Sequence, residues 1–341
     1  MTCRRAIYSI SLCFFLVLLT TNHLSAQDIH FSQFYASPLT LNPALTGYSE
    51  STYRATGIYR NQWSSVTTPY ITYAASFDMA VLRDKTGADV FGVGGMVAND
   101  QSGNGSLNHL RVMGSSSYHK QVGDGHYLGA GVQLGYVQKS IQPNNLTFPN
   151  QYTGSGFDSD QANQENFEST TVNYFDMQVG IQWNGTISDR LGLFNGASLF
   201  HLTQPKESFL GEDVRLSPRY VVNGGARIKT SDKIYLTPNY IYMFQNQAQE
   251  INVGTAVEYH FQDRKINPVV SVGGWYRPGD AVIASASVEY KQVKVGASYD
   301  VNVSGLSKVS NNRGGFEISV TYIGKIIKPD TGPVMVPCPR L

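Results

Sequence analysis

Charged side chains are scarce in this sequence of 341 residues. Asp, Glu, Lys and Arg make up 15% of it, whereas a typical soluble domain contains roughly 25%. The net charge of +1 argues against a nucleic-acid partner, which requires a strongly basic surface. Glycine and tyrosine are instead abundant, with 33 and 21 residues. This composition is typical of a membrane β-barrel, whose lumen is polar and whose membrane interfaces are aromatic.

Cysteine is nearly absent, with three residues in the whole chain. Cys3 and Cys13 lie in the N-terminal segment that we expect to be removed, which leaves Cys338 alone. A single cysteine excludes an internal disulfide and a cysteine-based metal site in the mature chain.

The first 26 residues have the features of a secretory signal peptide. Arg4 and Arg5 precede an apolar run from Ile10 to Leu19, and a small residue, Ala26, ends the segment. The run is too short to cross a bilayer comfortably, which argues against the alternative of an uncleaved anchor. We expect cleavage after Ala26 and export of the mature chain.

Elsewhere the sequence lacks any run of 18 apolar residues, the length that a membrane helix requires. A chain that spans a membrane without such helices must form a closed barrel, because lipid offers no partner to free backbone groups. The alternative is a secreted soluble β-sandwich or lectin-like domain, released rather than held in a membrane.

Short segments of alternating apolar and polar residues begin near residue 51. In the last hairpin, Asp300 and Glu317 lie on the face opposite the apolar residues, as expected when successive strand side chains point to opposite faces. The apolar face of that hairpin consists of Val295, Ala297, Tyr299, Val301, Phe316, Ile318, Val320 and Tyr322. We predict that this face contacts lipid and that the two acids point inward.

The same pattern predicts fourteen strands, most of them about ten residues long, which is sufficient for a tilted strand to cross a bilayer. The fold class is therefore all-β, a transmembrane antiparallel up-and-down barrel. The predicted strands are residues 51–60, 69–79, 89–99, 107–119, 126–139, 171–183, 191–202, 219–229, 234–244, 250–260, 267–276, 281–290, 293–301 and 314–323.

The lengths of the connections support this interpretation. The three longest, residues 140–170, 203–218 and 302–312, all follow odd-numbered strands. Short connections such as 230–233 and 291–292 follow even-numbered strands. Bacterial outer-membrane barrels have short periplasmic turns and long external loops. We therefore predict an outer-membrane location with the long loops at the cell surface.

Two segments flank the predicted barrel of residues 51–324. Residues 27–50 do not alternate, and they contain Pro38 and Pro43, which disfavour a central strand. We expect an irregular N-terminal arm that is either periplasmic or lumenal. The proline-rich residues 325–341 predict an extended periplasmic tail.

No pattern in the sequence indicates a catalytic, cofactor or metal site. A nucleophile elbow and zinc-type histidine motifs are absent. Asp158, Asp160 and Glu165 lack the spacing of a calcium loop. A membrane hydrolase that pairs His109 or His201 with a serine is a further alternative. Five predicted lumenal charges either shape permeation or pair across the interior, and both possibilities remain open: Arg227, Glu258, Glu289, Asp300 and Glu317.

Several motifs resemble the PorP/SprF family of outer-membrane proteins associated with type IX secretion, in the order expected from the mature N-terminus to the C-terminus. The closest match lies in the last hairpin. The motifs are QDIHFSQFY (27–35), LNPA (41–44), LTFPNQ (146–151), HLTQP (201–205), GGWYR (273–277), SYDV (298–301), SGL (304–306) and PCPR (337–340).

The resemblance implies a barrel without enzymatic activity that supports secretion or surface attachment of another protein, such as a motility adhesin. The implied partners are a secreted cell-surface protein with a type IX C-terminal domain, other secretion components in the periplasm or outer membrane, and outer-membrane lipid. A passive or gated porin is the alternative function. The partner-binding residues that we infer from the matched motifs and their surroundings are Ser32, Gln33, Asn42, Pro43, Arg277 and Asp280.

Overall fold

The alternating segments form fourteen antiparallel strands in the computed structural model, and the strands close into one barrel. The structure describes residues 28–49, 51–65, 68–81, 89–103, 106–158, 160–162, 165, 167–262, 266–305 and 307–326. The predicted signal peptide and residues 327–341 of the predicted tail lie outside the described residues.

The strands are named β1 to β14 in chain order. They are β1 (Tyr53–Gln62), β2 (Tyr70–Ala80), β3 (Val90–Ser102), β4 (Leu107–Gly123), β5 (His126–Ser140), β6 (Thr171–Ser188), β7 (Leu191–Phe200), β8 (Arg219–Lys229), β9 (Ile234–Gln245), β10 (Ala248–His260), β11 (Val269–Arg277), β12 (Ala281–Tyr290), β13 (Val293–Asn302) and β14 (Arg313–Gly324).

All fourteen predicted strands are present, and only their ends differ. β6 continues to Ser188, so the turn before β7 contains only Asp189 and Arg190. β4 continues to Gly123 and turns through Asp124 and Gly125. Gly125 has a φ of +70°, a left-handed conformation that glycine adopts without strain and that tight hairpins require.

Pairing of the first strand with the last closes the barrel. β1 and β14 are in continuous register from Tyr53 opposite Gly324 to Gln62 opposite Gly315. No strand edge is left free in this wall, which is the condition for a sheet to span a membrane. The outward face carries the predicted apolar side chains of the last hairpin, including Tyr299 and Phe316, whereas Asp300 and Glu317 are buried inside. The predicted strand phase is therefore confirmed.

The two ends of the barrel differ in loop length. One end, which we call the long-loop end, carries the connections after odd-numbered strands, including residues 141–170, 201–218 and 303–312. The last of these contains a short helix, Ser307–Ser310. The opposite end, the short-turn end, includes the two-residue turns at 124–125, 189–190 and 291–292.

The N-terminal arm, residues 28–49, lies inside the barrel. It consists of the 3₁₀ turn Phe34–Ala36, the helix α1 (Pro38–Leu41) and the 3₁₀ turn Pro43–Leu45. Both prolines stand at the first position of a helical turn, where the missing N–H has no intrahelical partner to lose. The arm begins near the long-loop end and reaches β1 at the short-turn end.

Apolar side chains of the arm pack against two sides of the wall. Phe34 and Leu41 contact one side, and Phe31 and Leu39 contact the other. The wall residues of the first side are Phe200, Val221, Ile241, Met243, Ala256, Trp275, Ala281 and Ile283. Those of the second side are Ile58, Ala74, Met96, Ala98 and Met113. The lumen is therefore less polar than the sequence predicts, because the arm covers these inward apolar residues.

Candidate functional site

Asp28, the first described residue of the arm, is held by basic side chains near the long-loop end. Its carboxylate contacts Arg111, lies 2.9 Å from His201 Nε2 and lies 3.4 Å from an Arg219 nitrogen. His201 Nδ1 in turn lies 2.7 Å from Asp176. A buried carboxylate is stable only when it is paired in this way.

Four residues further along the arm, Glu317 of β14 binds the arm backbone. The N–H groups of Ser32 and Gln33 donate to the two carboxylate oxygens of Glu317, at 2.7 and 2.8 Å. The Gln33 amide donates to Ser298 at 3.2 Å and accepts from Ser319 at 2.8 Å. One wall carboxylate therefore fixes two successive peptide units of the arm.

The Ser32 hydroxyl joins two opposite charges on the wall. It donates to Asp300 Oδ2 at 2.6 Å and accepts from an Arg277 nitrogen at 2.6 Å. Arg277 also lies 2.7 Å from Asp280 and 3.5 Å from Glu250. Hydrogen bonds to charged groups are the stronger kind, so this serine is tightly anchored.

Arg60 connects the wall acids to each other and to the arm. Its side chain is fully buried and lies 3.1 Å from Glu317 and 3.4 Å from Asp300. It also donates to the carbonyl oxygen of His30 at 3.0 Å. We call the four wall residues the latch cluster: Arg60, Arg277, Asp300 and Glu317.

Further along the arm, Asn42 organises a tight turn against the wall. Its side-chain oxygen accepts from the Ala44 N–H at 2.9 Å, and its amide donates to the Ile181 carbonyl at 3.0 Å. Asn42 is completely buried. Its amide thus bonds both to its own turn and to the backbone of β6.

Two glycines of the wall allow this turn to approach. Gly131 on β5 and Gly180 on β6 are opposite each other in register. A Cβ at Gly131 would lie 2.5 Å from the backbone of Pro43 and Ala44, and a Cβ at Gly180 would lie 2.0 Å from Asn42 Oδ1. Only glycine fits at either position. We call this pair the glycine saddle.

The end of the arm is fixed near the short-turn end. The Thr46 carbonyl accepts from Ser117 Oγ at 2.6 Å, and the Gly47 N–H donates to Asp78 at 2.7 Å. Asp78 also pairs with Arg54 at 2.8 Å. The arm is therefore attached to the wall along its whole described length.

The two longest loops of the long-loop end are joined. The N–H groups of Glu168 and Ser169 donate to the Phe209 carbonyl at 3.0 and 3.3 Å. Tyr152 and Phe157 pair in a small hairpin with ring centroids 5.3 Å apart. Their side chains are 54% and 57% exposed, so this end presents an aromatic surface.

A sequence model of the type IX secretion system membrane protein PorP/SprF matches residues 23–322. The chain belongs to the PorP/SprF family. The match includes the whole described arm and the barrel as far as Tyr322, two residues before the end of β14. No curated protein matches the sequence.

Solved structures similar to this PorP/SprF barrel include two toluene transporters. The toluene transporter TbuX from Ralstonia pickettii has a TM-score of 0.53 and 12% identity, with 86% of this chain and 94% of that chain covered. The toluene transporter TodX from P. putida has a TM-score of 0.50 and 10% identity, with 84% and 93% covered. At this identity the likeness establishes the outer-membrane barrel fold and nothing about the substrate.

Five of the six residues inferred from the PorP/SprF resemblance lie where the arm meets the wall, and Asp280 contacts Arg277 of the wall. Ser32, Gln33 and Arg277 meet in or beside the latch cluster, and Asp280 is half exposed at its edge. Asn42 and Pro43 lie at the glycine saddle, away from the other four. Their role in binding a partner remains a prediction. The six residues are Ser32, Gln33, Asn42, Pro43, Arg277 and Asp280.

Three buried arginines that contact the arm were not predicted from the sequence. Arg60, Arg111 and Arg219 occupy inward positions of β1, β4 and β8, and each is buried. The signal was present, because a charged residue at an inward position of a membrane strand is costly unless it has a partner. The predicted lumenal acids Asp300 and Glu317 pair with Arg60 on neighbouring strands of the wall.

The histidines named in the hydrolase alternative are engaged by other groups. Both ring nitrogens of His201 face carboxylates, and His109 Nε2 accepts from Arg111 Nε at 3.1 Å.

In the described part of the chain, no helix is long and apolar enough to span a membrane. Nor do three or more His, Cys, Asp or Glu side chains converge there as a metal site.

Acidification is expected to weaken docking of the arm through His30. Burial lowers the pKa of His30 from 6.5 to about 4; Glu250 partly opposes the shift, and Arg60 and Arg277 add to it. A lowered pKa favours the neutral ring, so between pH 6.5 and about 4 the free arm binds a proton that the docked arm does not. Docking should therefore lose about 2 kcal/mol at pH 5 relative to pH 7.

Hydrogen exchange of the arm amides at pH 7 and pH 5, corrected for intrinsic rates, measures this loss. His30→Gln should reduce the pH dependence, because glutamine does not titrate. An unchanged pH dependence in that variant would contradict the role assigned to His30.

Proposed function

We propose that this protein is a non-enzymatic outer-membrane barrel that holds a secreted cell-surface protein of the type IX route, such as an adhesin. The observation that carries the proposal is the filled lumen. Because the arm occupies the lumen from Asp28 to the start of β1, the surface left for a large partner is the long-loop end. Membership of the PorP/SprF family supports the choice of secretion route.

We place the long-loop end at the cell surface and the short-turn end in the periplasm. This assignment rests on the loop asymmetry of bacterial outer-membrane barrels. It gives the secreted partner access to the long loops and gives periplasmic secretion components access to the short turns. The outward apolar face of the wall contacts outer-membrane lipid.

The chemistry of the long-loop end fits a partner protein with basic and apolar groups. Residues 141–170 contain four acids and neither Lys nor Arg. Tyr152 and Phe157 add exposed aromatic area, the kind of side chain that is enriched at protein interfaces. Opposite charge on the partner would speed association and set its orientation. The four acids are Asp158, Asp160, Glu165 and Glu168.

Co-purification from outer membranes tests this function. Wild-type barrel should retain a large surface protein, and the double variant Tyr152→Ser and Phe157→Ser should retain at least about tenfold less, since each lost aromatic anchor removes 1 kcal/mol or more. Val309→Ser is the matched control, because Val309 is 65% exposed on a different loop of the same end. Heat modifiability on gels shows that each barrel is folded.

Two results would contradict the proposal. One is a folded wild-type barrel that retains no surface protein from cells that secrete by the type IX route. The other is equal retention by the wild type and by the aromatic double variant. A passive porin is the weaker alternative, because the docked arm argues against a steadily open pore.

A further inference from the structure

The wall binds the first part of the arm largely through main-chain atoms. Arg219 donates to the carbonyl oxygen of Ile29 at 3.1 Å, and Arg60 donates to that of His30 at 3.0 Å. Every peptide carries such carbonyl groups. These two contacts therefore do not depend on which side chains the bound segment carries.

The wall also provides acceptors for main-chain donors. Glu317 accepts the successive N–H groups of Ser32 and Gln33. Asn252 is a further donor, because its Nδ2 donates to the Ser32 carbonyl oxygen at 3.5 Å. The wall thus contacts both main-chain donors and main-chain acceptors of residues 29–33. Recognition of a peptide through its backbone is an established binding mode of protein surfaces.

Two side-chain contacts add selectivity to this pattern. The Asp28 carboxylate lies among Arg111, His201 and Arg219, and the Ser32 hydroxyl lies between Asp300 and Arg277. An acidic side chain four residues before a hydroxyl is therefore the pattern that these contacts select.

We propose that this part of the lumen is a polypeptide-binding site that the arm occupies as an internal ligand. A segment of another polypeptide with the same acid–hydroxyl spacing competes with the arm for it. A free small anion is a poorer ligand, because it would satisfy the arginines and leave Glu317 without its two N–H donors. The inference rests on the contacts of residues 28–33 and is independent of the proposed function.

Exchange of a cut arm for a free peptide tests the inference without deleting any part of the fold. A protease site is inserted between residues 49 and 52, where the arm joins β1, and the full chain is folded before it is cut. The arm is then held only by non-covalent contacts. A fluorescent peptide with the sequence of residues 28–47 is added, and bound label is measured after the barrel is separated from free peptide.

The labelled peptide should replace the cut arm, and unlabelled peptide should compete with it. Asp28→Asn in the peptide should weaken competition on the order of 100-fold, because it leaves buried arginines without their anion. Tyr35→Phe is the matched control, since it removes one hydrogen bond of 3.4 Å and keeps the ring against Trp275. It should change competition by about threefold or less.

Three outcomes would overturn the proposal. The first is no exchange of the cut arm over several days in barrels that remain folded. The second is exchange that a scrambled peptide achieves equally well. The third is equal competition by the wild-type and Asp28→Asn peptides. A wall variant, Glu317→Gln, gives a second measurement, because it should weaken binding of the unchanged peptide about tenfold or more.

Discussion

Purified Gly131→Val protein should conduct ions steadily across a planar bilayer, whereas the wild-type protein should not. The added side chain would overlap the backbone of Pro43 and Ala44, since even a Cβ at this position lies 2.5 Å from both. No rotation of a side chain relieves an overlap with backbone, so the arm must leave the glycine saddle. A fourteen-stranded wall encloses more space than its own side chains fill, and the released lumen should admit water.

Gly192→Val is the control for this experiment. Gly192 lies on β7, four residues before Gly196, and therefore on the same face of that strand. A Cβ there meets no atom within 4 Å, whereas one at Gly196 would lie 2.7 Å from the Asn42 amide. Gly192→Val should remain closed. A closed Gly131→Val channel, in protein that heat modifiability shows to be folded, would mean that the arm does not block the lumen.

Glu317→Gln should lower the free energy of unfolding by about 3 kcal/mol, the usual effect of removing one partner from a buried ion pair. Glu317 is almost completely buried, pairs with Arg60 and accepts two arm N–H groups. Glutamine keeps the shape of the side chain but cannot compensate the arginine charge. Denaturant unfolding of the refolded barrel in detergent measures the change.

Glu289→Gln is the matched control for the latch cluster. Glu289 also lies on an inward position, on β12, where it is opposite Lys294 of β13, and it is only half-buried. Its substitution should alter the free energy of unfolding by about 1 kcal/mol or less. Equal changes in the two variants would show that Glu317 contributes no more than an ordinary lumenal acid.

The barrel itself was predictable because strand alternation is a local property. The phase of residues such as Tyr299 and Glu317 can be assigned from their immediate neighbours, and the structure confirms it. Loop lengths also lie in the sequence. Strand phase and loop length can both be read from short stretches of chain, so neither requires knowledge of which strands pair.

The position of the arm was not predictable in the same way. Pro38 and Pro43 show that the arm is not a strand, but they do not indicate a periplasmic or a lumenal position. The lumenal position depends on contacts such as Phe34 with Trp275 and its neighbours, which are far apart in the sequence. The packing of such distant groups does not appear in a local pattern.

The latch cluster and the glycine saddle depend on strand register. Arg60 is directly opposite Glu317 across the closing pair of strands, and Gly131 is opposite Gly180. A shift of one residue in register would turn either pair to the other face. A strand glycine can indicate close approach of another backbone, but it does not indicate which segment approaches.

Disulfide trapping in intact cells tests the central claim, that the arm lies inside the lumen and against this wall, most directly. Thr46 and Ser115 place their hydroxyl oxygens in direct contact, so cysteines at both positions are close enough to form a bond. In a chain with Cys338→Ser, the pair Thr46→Cys and Ser115→Cys should cross-link in the outer membrane. Thr46→Cys with Ser271→Cys, on β11 across the barrel, should not. Failure of the first pair to cross-link in a folded barrel, or equal cross-linking of both pairs, would contradict a docked arm.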